Sequence, residues 1–210
     1  MRIIVTAGPT REPIDSVRFI TNASSGKMGY AIAEAAVSSG HDVTLMIGPV
    51  CLDPPAGCRV ERFVQACQLQ SLLERHFAGC DALVMSAAVG DFKSARPMEG
   101  KMRRSAGPVR LELVPTPDIL AAVALKKKPT QIVVSFAVEE GSARQVEQSA
   151  RAKMLSKHAD LIVANMPQAI GSDEGLACML DSAGIVLPWL NRSKTQLARE
   201  IVKVISMKGR

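Results

Sequence analysis

Short apolar runs alternate with amphipathic stretches along most of the chain. The apolar runs predict buried strands at 3–5, 82–86 and 131–137, and further strands are predicted at 42–47, 59–63 and 161–164. Apolar residues at helical spacing predict helices at 25–39, 65–77, 117–128, 142–157 and 193–205. Strands that are nearly continuous in apolar residues are typically covered on both faces. Their alternation with helices over short links predicts a parallel, doubly wound α/β sheet.

Two segments depart from this alternation. Residues 87–115 form a long irregular segment that contains an alternating stretch at 109–114, and loops of this length in compact domains are usually functional or mobile. The runs 177–180 and 185–187 are joined by Asp-Ser-Ala-Gly and predict a β-hairpin. We therefore expect a Rossmann-like, mostly parallel sheet with a small hairpin arm, folded as one domain over residues 1–210.

Composition and charge narrow the class of protein only in part. Hydrophobic residues make up 47% of the 210 residues and charged residues 22%, as in ordinary globular proteins. The net charge of +6 suits nucleic acid, a membrane surface or small anions, and does not choose among them. With one Trp, one Tyr and dispersed cations, the chain offers little surface for base stacking, which disfavours nucleic acid.

Cysteine usage and leader signals indicate a compartment. The five cysteines form no Cys-x-x-Cys pair, so neither a disulfide framework nor a zinc ribbon is expected. The chain starts without a basic-then-apolar leader and contains no run of about 18 apolar residues. We expect a cytoplasmic protein that does not enter a membrane.

The segment 5–29 is the strongest candidate for an active site. It runs from a buried strand through a long polar loop to Ser24, Ser25 and Gly26 at the start of a helix. Unpaired N–H groups and the helix dipole favour an anion at such a place. The alternative that Ser24 or Ser25 merely caps the helix is equally consistent with the sequence.

Three familiar nucleotide motifs are absent from this segment. Seventeen residues lie between Gly8 and Gly26, far more than in the dinucleotide fingerprint. Lys27 is followed by Met28, where a Walker loop needs Ser or Thr. The only tyrosine, Tyr30, has glutamate rather than lysine four residues later, which excludes the Tyr-x-x-x-Lys pair of short-chain reductases.

Several polar residues could carry chemistry, each with a plainer alternative. The amide of Asn22 could donate to a developing oxyanion or shape a turn. Asp91, which follows small residues after a buried strand, could bind a ribose or Mg²⁺ or cap a loop.

The candidate cations also have two interpretations. Lys101, Arg103 and Arg104 could close over a polyphosphate or form a solvated charge run. Lys153 and Lys157 share one helix face, which suits phosphate contacts and also plain surface.

Taken together, five motifs resemble phosphopantothenate-cysteine ligase over nearly the whole chain. They are TAGPTREPIDSVRFITNASSGKMG, AAVGDF, KMRR, TPDI and ARAKMLSKHADLIVAN. The resemblance implies a homodimeric enzyme that joins 4′-phosphopantothenate to cysteine in coenzyme A synthesis, with CTP and Mg²⁺, through an acyl-cytidylate. The family is often fused to a flavin-dependent decarboxylase. Because this chain begins at the ligase's first strand, it is expected to be a standalone ligase that could work with a separate decarboxylase.

The resemblance also implies roles for individual residues. Asn22 would act on the acyl-cytidylate in the second step, and Arg18 would lie on the phosphopantothenate side. Lys101 would stabilise charge on the α-phosphate. Ala87, Ala88 and Asp91 would line the place where substrate and nucleotide meet. The residues that match nucleotide-contacting positions are Thr116, Pro117, Asp118, Ile119, Phe136, Lys153 and Lys157.

Some positions depart from the family pattern. Arg103 and Arg104 replace two lysines of its Lys-x-Lys-Lys loop, which keeps the charge but changes its geometry. Thr116 stands where asparagine is common, and Met166 where aspartate is usual after Asn165. The expectation of CTP rather than ATP rests on the loop that contains Lys101, which resembles that of the bacterial branch of the family. A catalytically silent ligand-binding subunit of a decarboxylase is the alternative.

Overall fold

The computed structural model describes residues 1–104 and 107–209. It contains twelve strands and five α-helices in that part of the chain. In chain order they are β1 Arg2–Ala7, β2 Arg11–Pro13, β3 Phe19–Thr21, α1 Lys27–Ser38, β4 Asp42–Ile47, β5 Arg59–Arg62, α2 Ala66–His76, β6 Ala82–Met85, β7 Phe92–Ser94, β8 Leu113–Pro115, α3 Ile119–Ala124, β9 Ile132–Val138, α4 Ala143–Ser156, β10 Leu161–Asn165, β11 Glu174–Leu180, β12 Ile185–Ser193 and α5 Lys194–Lys208.

Eight of the strands form one sheet in the order β12-β11-β10-β9-β6-β1-β4-β5. The six strands from β10 to β5 pair in parallel, and β11 and β12 pair antiparallel at one edge. If the six parallel strands are numbered by their order in the chain, their order across the sheet from β5 to β10 is 3-2-1-4-5-6. This is the doubly wound order. The predicted Rossmann-like α/β class is thus confirmed, with a topological switch point between β1 and β6.

Helices cover both faces of the sheet. Side chains that alternate along each strand point to opposite faces, so Val5 and Val84 pack with α1 and α5, while Ile4 and Leu83 pack with α2 and α3. Helix α4 covers the β9 to β11 part of the sheet through Val146 and its neighbours. All of these side chains are buried, which explains why the central parallel strands are largely apolar. The edge strand β5 is polar and only partly buried.

Two predicted elements differ from the structure. The third predicted helix, 117–128, is shorter and spans only Ile119–Ala124. Its N-cap is Asp118, which accepts from the Ala121 amide at 3.0 Å, so Pro117 lies before the cap and the prediction of Pro117 in the first turn was wrong. The predicted hairpin is present as β11 and β12, but it is longer than expected and continues the main sheet.

Two small hairpins lie in segments for which the sequence predicted no strands. Strand β2 pairs with β3, and β7 pairs with β8. Each of these strands has only three residues, too few for a periodic pattern. Contacts from elsewhere support the first hairpin, because the Arg11 amide donates to the Val64 carbonyl at 2.7 Å.

The cysteines are all free thiols, as the sequence predicted. Cys80 and Cys178 are buried, and burial raises the pKa of Cys80 to about 11 and that of Cys178 to about 12. Between residues 1 and 209, leaving aside 105 and 106, no helix combines the length and apolar character that crossing a membrane requires.

Helix α1 approaches the ends of β1 and β6 very closely at Gly29. A Cβ on Gly29 would lie 2.5 Å from Ala7 Cβ, 2.7 Å from Ser86 Oγ and 2.9 Å from the Thr6 carbonyl oxygen. Two of these three neighbours belong to β1, whose position is set by pairing on both sides. Glycine at this position therefore allows the helix to begin next to the carboxyl end of the sheet.

We predict that Gly29→Ala destabilises the protein by about 1–3 kcal/mol, the usual cost of overpacking a tight contact. Urea denaturation of both proteins measures the difference. The matched control is Gly79→Ala, because a Cβ on Gly79 would meet no atom within 4 Å, and surface changes of this kind stay within about 0.5 kcal/mol. Equal stability of the two variants would contradict the close-approach argument.

Candidate active site

A cavity of about 350 Å³ opens at the carboxyl end of the parallel strands, next to the start of α1. This is the edge of an open α/β sheet at which ligands usually bind. The cavity lies between α1 on one side and the segment around Ile170 with the start of α5 on the other. Six of the residues predicted from the sequence line it, namely Asn22, Ser24, Ser25, Gly26, Ala88 and Phe136.

The start of α1 presents backbone N–H groups at this cavity. Gly26 is the N-cap residue, has a φ of 77° and places no side chain over the helix end. Ser24 Oγ accepts from the Gly26 amide at 3.3 Å and Ser25 Oγ from the Lys27 amide at 3.5 Å, both longer than an ordinary N–H···O bond. The serines therefore cap the helix only weakly, and its first turn can receive an anion.

Asn22 connects the end of β3 to the loop that follows β6. Its Nδ2 donates to the Val89 carbonyl at 3.0 Å and to the Ala88 carbonyl at 3.4 Å. The side chain is exposed at the cavity, so the amide can reach a ligand without any movement of the core. Ala87 lies beside Ala88, and its amide donates to Thr6 Oγ1 at 3.0 Å. The small side chains of both alanines leave the backbone of this loop accessible.

Arg18 and the Lys101 segment are joined through Asp15. Arg18 Nη1 lies 2.6 Å from Asp15 Oδ2 and donates to the Met102 carbonyl at 3.3 Å. The Met102 amide in turn donates to Asp15 Oδ2 at 3.0 Å. The structure thus brings Arg18 close to the backbone next to Lys101, whose side chain is exposed. Arg103 is also exposed, as is Arg104.

Asp91 and Thr116 lie together where the loop after β6 meets the end of β8. The Thr116 amide donates to the Asp91 carbonyl oxygen at 2.9 Å, and its hydroxyl donates to the Gly90 carbonyl at 2.5 Å. The Asp91 side chain is exposed and has no hydrogen-bond partner in the described ranges. Pro117 is exposed next to Thr116. Ile119, the first residue of α3, is buried.

Asp91 fits Mg²⁺ only as a single protein ligand. No group of three His, Cys, Asp or Glu side chains that could hold a metal exists within residues 1–104 and 107–209. Mg²⁺ at nucleotide sites is usually held by one or two carboxylates together with substrate phosphates. One exposed, unpaired carboxylate is compatible with that pattern and not with a metal cage made by the protein alone.

Two predicted phosphate-binding cations are paired with carboxylates. Lys153 Nζ lies 2.5 Å from Glu139 Oε1, and Lys157 Nζ lies 3.5 Å from Asp118 Oδ2. Both pairs lie on the α3 and α4 side of the sheet, opposite α1. The predicted residues therefore form two groups on either side of the carboxyl edge, and Phe136 belongs to the group on the α1 face.

Four cavity residues with charged or amide side chains were not among the predicted ligands. Asn165, at the end of β10, has a buried Oδ1 without a hydrogen-bond partner in the described part of the chain. Arg192 is buried and forms a 2.7 Å ion pair with Glu200. Of these, only Asn165 carried a signal in the sequence, because it ends an apolar strand.

The other two of these four cavity residues are lysines, and their side chains contact the segment 169–173, which faces α1 across the cavity. Lys27 Nζ lies 2.7 Å from Asp173 Oδ1. Lys194 Nζ donates to the carbonyls of Ala169, at 3.0 Å, and Ser172, and burial lowers its pKa. These contacts join residues far apart in the chain, so no local pattern indicates them.

The fold and the cavity define a doubly wound α/β protein with a cavity at the start of its first helix. A family model described as "DNA/pantothenate metabolism flavoprotein C-terminal domain" matches residues 1–208. The chain therefore belongs to this family.

Similar proteins are named for coenzyme A biosynthesis. "Coenzyme A biosynthesis bifunctional protein CoaBC" of Bacillus subtilis is 45% identical over 174 residues, which are 82% of this chain and 42% of the relative. The protein of that name from Mycobacterium bovis is 40% identical over 97% of this chain and 51% of its own length. The chain thus spans about half the length of these relatives.

One solved structure is similar to this chain in both fold and sequence. The crystal structure of the C-terminal domain of a "Coenzyme A biosynthesis bifunctional protein CoaBC" is 36% identical, has a TM-score of 0.80 and covers 98% of this chain and 94% of that domain. The similarity includes the whole doubly wound sheet described above.

The titration of Asp15 provides a test of the polar contacts near the site. The hydrogen bond from the Val17 amide, with further ones from Arg18 and Met102 and the charge of Arg18, lowers the pKa of Asp15 from 3.8 to about 2 against the opposing effect of burial. Because the pKa is lower in the folded state, this carboxylate contributes stability above about pH 3.8 and loses it as the pH falls towards 2.

We predict that the difference in free energy of unfolding between the wild type and Asp15→Asn is largest above pH 4 and shrinks towards pH 2. Urea denaturation at a series of pH values measures the difference, and carboxyl NMR measures the midpoint of Asp15 directly. A midpoint near the ordinary value of 3.8 would contradict the network.

Proposed function

We propose that the protein is a phosphopantothenate-cysteine ligase that uses CTP. The observation that carries the proposal is the place of Asn22, which lies at a cavity between a weakly capped helix start and the backbone carbonyls of Ala88 and Val89, to which its amide donates. The motif resemblance and the membership of a pantothenate-metabolism family support the assignment. The relatives' name indicates the pathway, coenzyme A biosynthesis.

In the first proposed step, the carboxylate of 4′-phosphopantothenate attacks the α-phosphorus of CTP. An oxygen–phosphorus bond forms, the α–β phosphoanhydride breaks, and pyrophosphate leaves with its electron pair. Lys101 would offset the negative charge that develops on the α-phosphate. Mg²⁺, held by the phosphates and Asp91, would supply further charge neutralisation.

In the second proposed step, the amine of cysteine attacks the activated carbonyl. A carbon–nitrogen bond forms, the acyl–phosphate bond breaks, CMP leaves, and the amine loses a proton to solvent. Negative charge develops on the carbonyl oxygen during the attack. Asn22 would donate to that oxygen through the Nδ2 that otherwise contacts the backbone after β6.

The remaining predicted residues would bind the two substrates. Ser24, Ser25 and Gly26 would provide N–H and hydroxyl donors to a phosphate at the start of α1. Arg18 would attract phosphopantothenate. Phe136, which lines the cavity, would contact the cytidine nucleotide together with residues on the other side of the carboxyl edge. Those residues are Thr116, Pro117, Asp118, Ile119, Lys153 and Lys157.

The assembly is proposed on the same basis. A homodimer is supported by exposed apolar side chains on the two small hairpins, among them Phe19, Phe92 and Leu113, since such patches often mark interfaces. We also propose a cytoplasmic location, and the motif resemblance supports association with a separate decarboxylase. In the alternative function, the chain would bind the same ligands for that decarboxylase without catalysis.

We predict that the protein releases pyrophosphate when incubated with CTP, Mg²⁺, 4′-phosphopantothenate and cysteine, and that the rate with CTP exceeds the rate with ATP. A coupled pyrophosphate assay measures both rates. Omission of 4′-phosphopantothenate is the control for simple nucleotide hydrolysis. Binding of both substrates with no pyrophosphate above that control would favour the silent-subunit alternative.

We predict that Asn22→Asp separates the two steps. A carboxylate cannot donate to the developing oxyanion, and loss of one such donor typically costs about 10²–10³ in rate. The variant should still release pyrophosphate and accumulate the acyl-cytidylate, while formation of the cysteine product falls by at least about 100-fold. Quenched reactions analysed by mass spectrometry measure both species. Normal product formation would refute the assigned role.

A further inference from the structure

The strongest unassigned feature near the site is the buried carboxylate of Asp15. It lies between β2 and β3, and its side chain has no accessible surface. Oδ1 accepts from the Val17 amide at 2.8 Å and from the Arg18 amide at 2.7 Å. Oδ2 lies 2.6 Å from Arg18 Nη1. These three contacts are local and shape the hairpin turn.

The fourth contact is with a distant segment. The Met102 amide, 87 residues further along the chain, donates to Asp15 Oδ2 at 3.0 Å. Arg18 Nη1 donates to the carbonyl of the same Met102 residue at 3.3 Å. Asp15 and Arg18 thus hold the backbone of Met102 at both its N–H and its C=O.

A second contact holds the same segment a few residues earlier. The Met98 amide donates to the Ile14 carbonyl at 2.9 Å. Residues 98–102 therefore lie against the hairpin turn and are bound at both ends. Lys101 lies between these attachment points, and its exposed side chain has no ion-pair partner among the residues that the structure describes. The backbone on either side of Lys101 is what determines where its ammonium group can reach.

We infer that Asp15 is a positioning residue for Lys101: its carboxylate fixes the Met102 backbone so that the Lys101 ammonium group is held over the site of nucleotidyl transfer. The inference rests on the proposed function, because the contact of Lys101 with the α-phosphate is itself part of that proposal. Asp15 contacts no substrate in this role. The charge of the carboxylate matters because an ionised acceptor forms stronger bonds with N–H donors than a neutral one.

Asp15→Asn is the direct test. The amide keeps the shape of the side chain, but its NH₂ group can only donate. That group would face N–H groups that donate to the carboxylate in the wild type. We expect pyrophosphate release at saturating substrate to fall by about 10-fold or more, by analogy with other losses of positioning, with little change in KM for cysteine. Lys101→Gln alone should cause a larger fall.

The double variant distinguishes positioning from general damage. If Asp15 acts through Lys101, the double variant Asp15→Asn/Lys101→Gln is as slow as Lys101→Gln alone, within about twofold. Multiplication of the two single effects would overturn the inference, and so would an unchanged rate for Asp15→Asn. If Asp15→Asn does not fold, Asp15→Glu replaces it, because this variant keeps the charge but displaces the carboxylate oxygens. Its rate is then compared, alone and combined with Lys101→Gln, in the same way.

Asp81→Asn is the matched control. Asp81 is also a carboxylate that accepts from a distant backbone amide, that of Arg2 at 2.6 Å, and from the same arginine's side chain. It lies at the opposite, amino end of the sheet. Asp81→Asn should leave the rate of pyrophosphate release unchanged.

Hydrogen exchange provides a readout that does not depend on activity. In Asp15→Asn the Met102 amide should exchange at least about 10-fold faster than in the wild type, and in Asp81→Asn it should not change. Unchanged Met102 exchange in Asp15→Asn, with an active wild type, overturns the inference about Asp15 alone. Absence of pyrophosphate release by the wild type overturns the proposed function and the catalytic part of this inference with it.

Discussion

The close contact between α1 and the carboxyl ends of β1 and β6 is the constraint on which the candidate site depends. At Gly29 there is no room for a Cβ, and at Gly26 a Cβ would come within 3.1 Å of Val50 Cγ1. Gly26 also requires a left-handed backbone, with a φ of 77°, which glycine adopts without strain. Glycine at both positions lets the helix begin directly against the sheet edge, so its free N–H groups face the cavity.

Buried carboxylates organise the loops around this edge. Glu12 accepts from the Ala66 amide at 2.9 Å and thereby connects the first hairpin to the start of α2. Asp15 connects the same hairpin to Met102. A buried charge is stable only when it is well paired. Backbone N–H groups provide hydrogen bonds to both of these carboxylates. The rigid sheet thus positions the helix start, and polar contacts position the hairpins beside it.

The sequence predicted the central strands well because they are buried on both faces, as in β6, where all four residues are apolar and buried. It missed β2 and β3 because strands of three residues carry no periodicity, and their pairing depends on contacts such as that between Arg11 and Val64. Six predicted residues meet at one cavity, since loops at one sheet edge converge. The pairing of Lys153 with Glu139 and the unpaired Asn165 are tertiary features that no local pattern contains.

We propose that a phosphorylated substrate binds at the carboxyl edge of the sheet, against the start of α1. Amide chemical-shift mapping with 4′-phosphopantothenate, alone and with CTP, is the decisive measurement. We expect the largest shifts at residues 24–29 and at Ala88 and Phe136. Shifts confined to the opposite edge, around Arg2 and Arg59, or no shifts at saturating ligand, would contradict it.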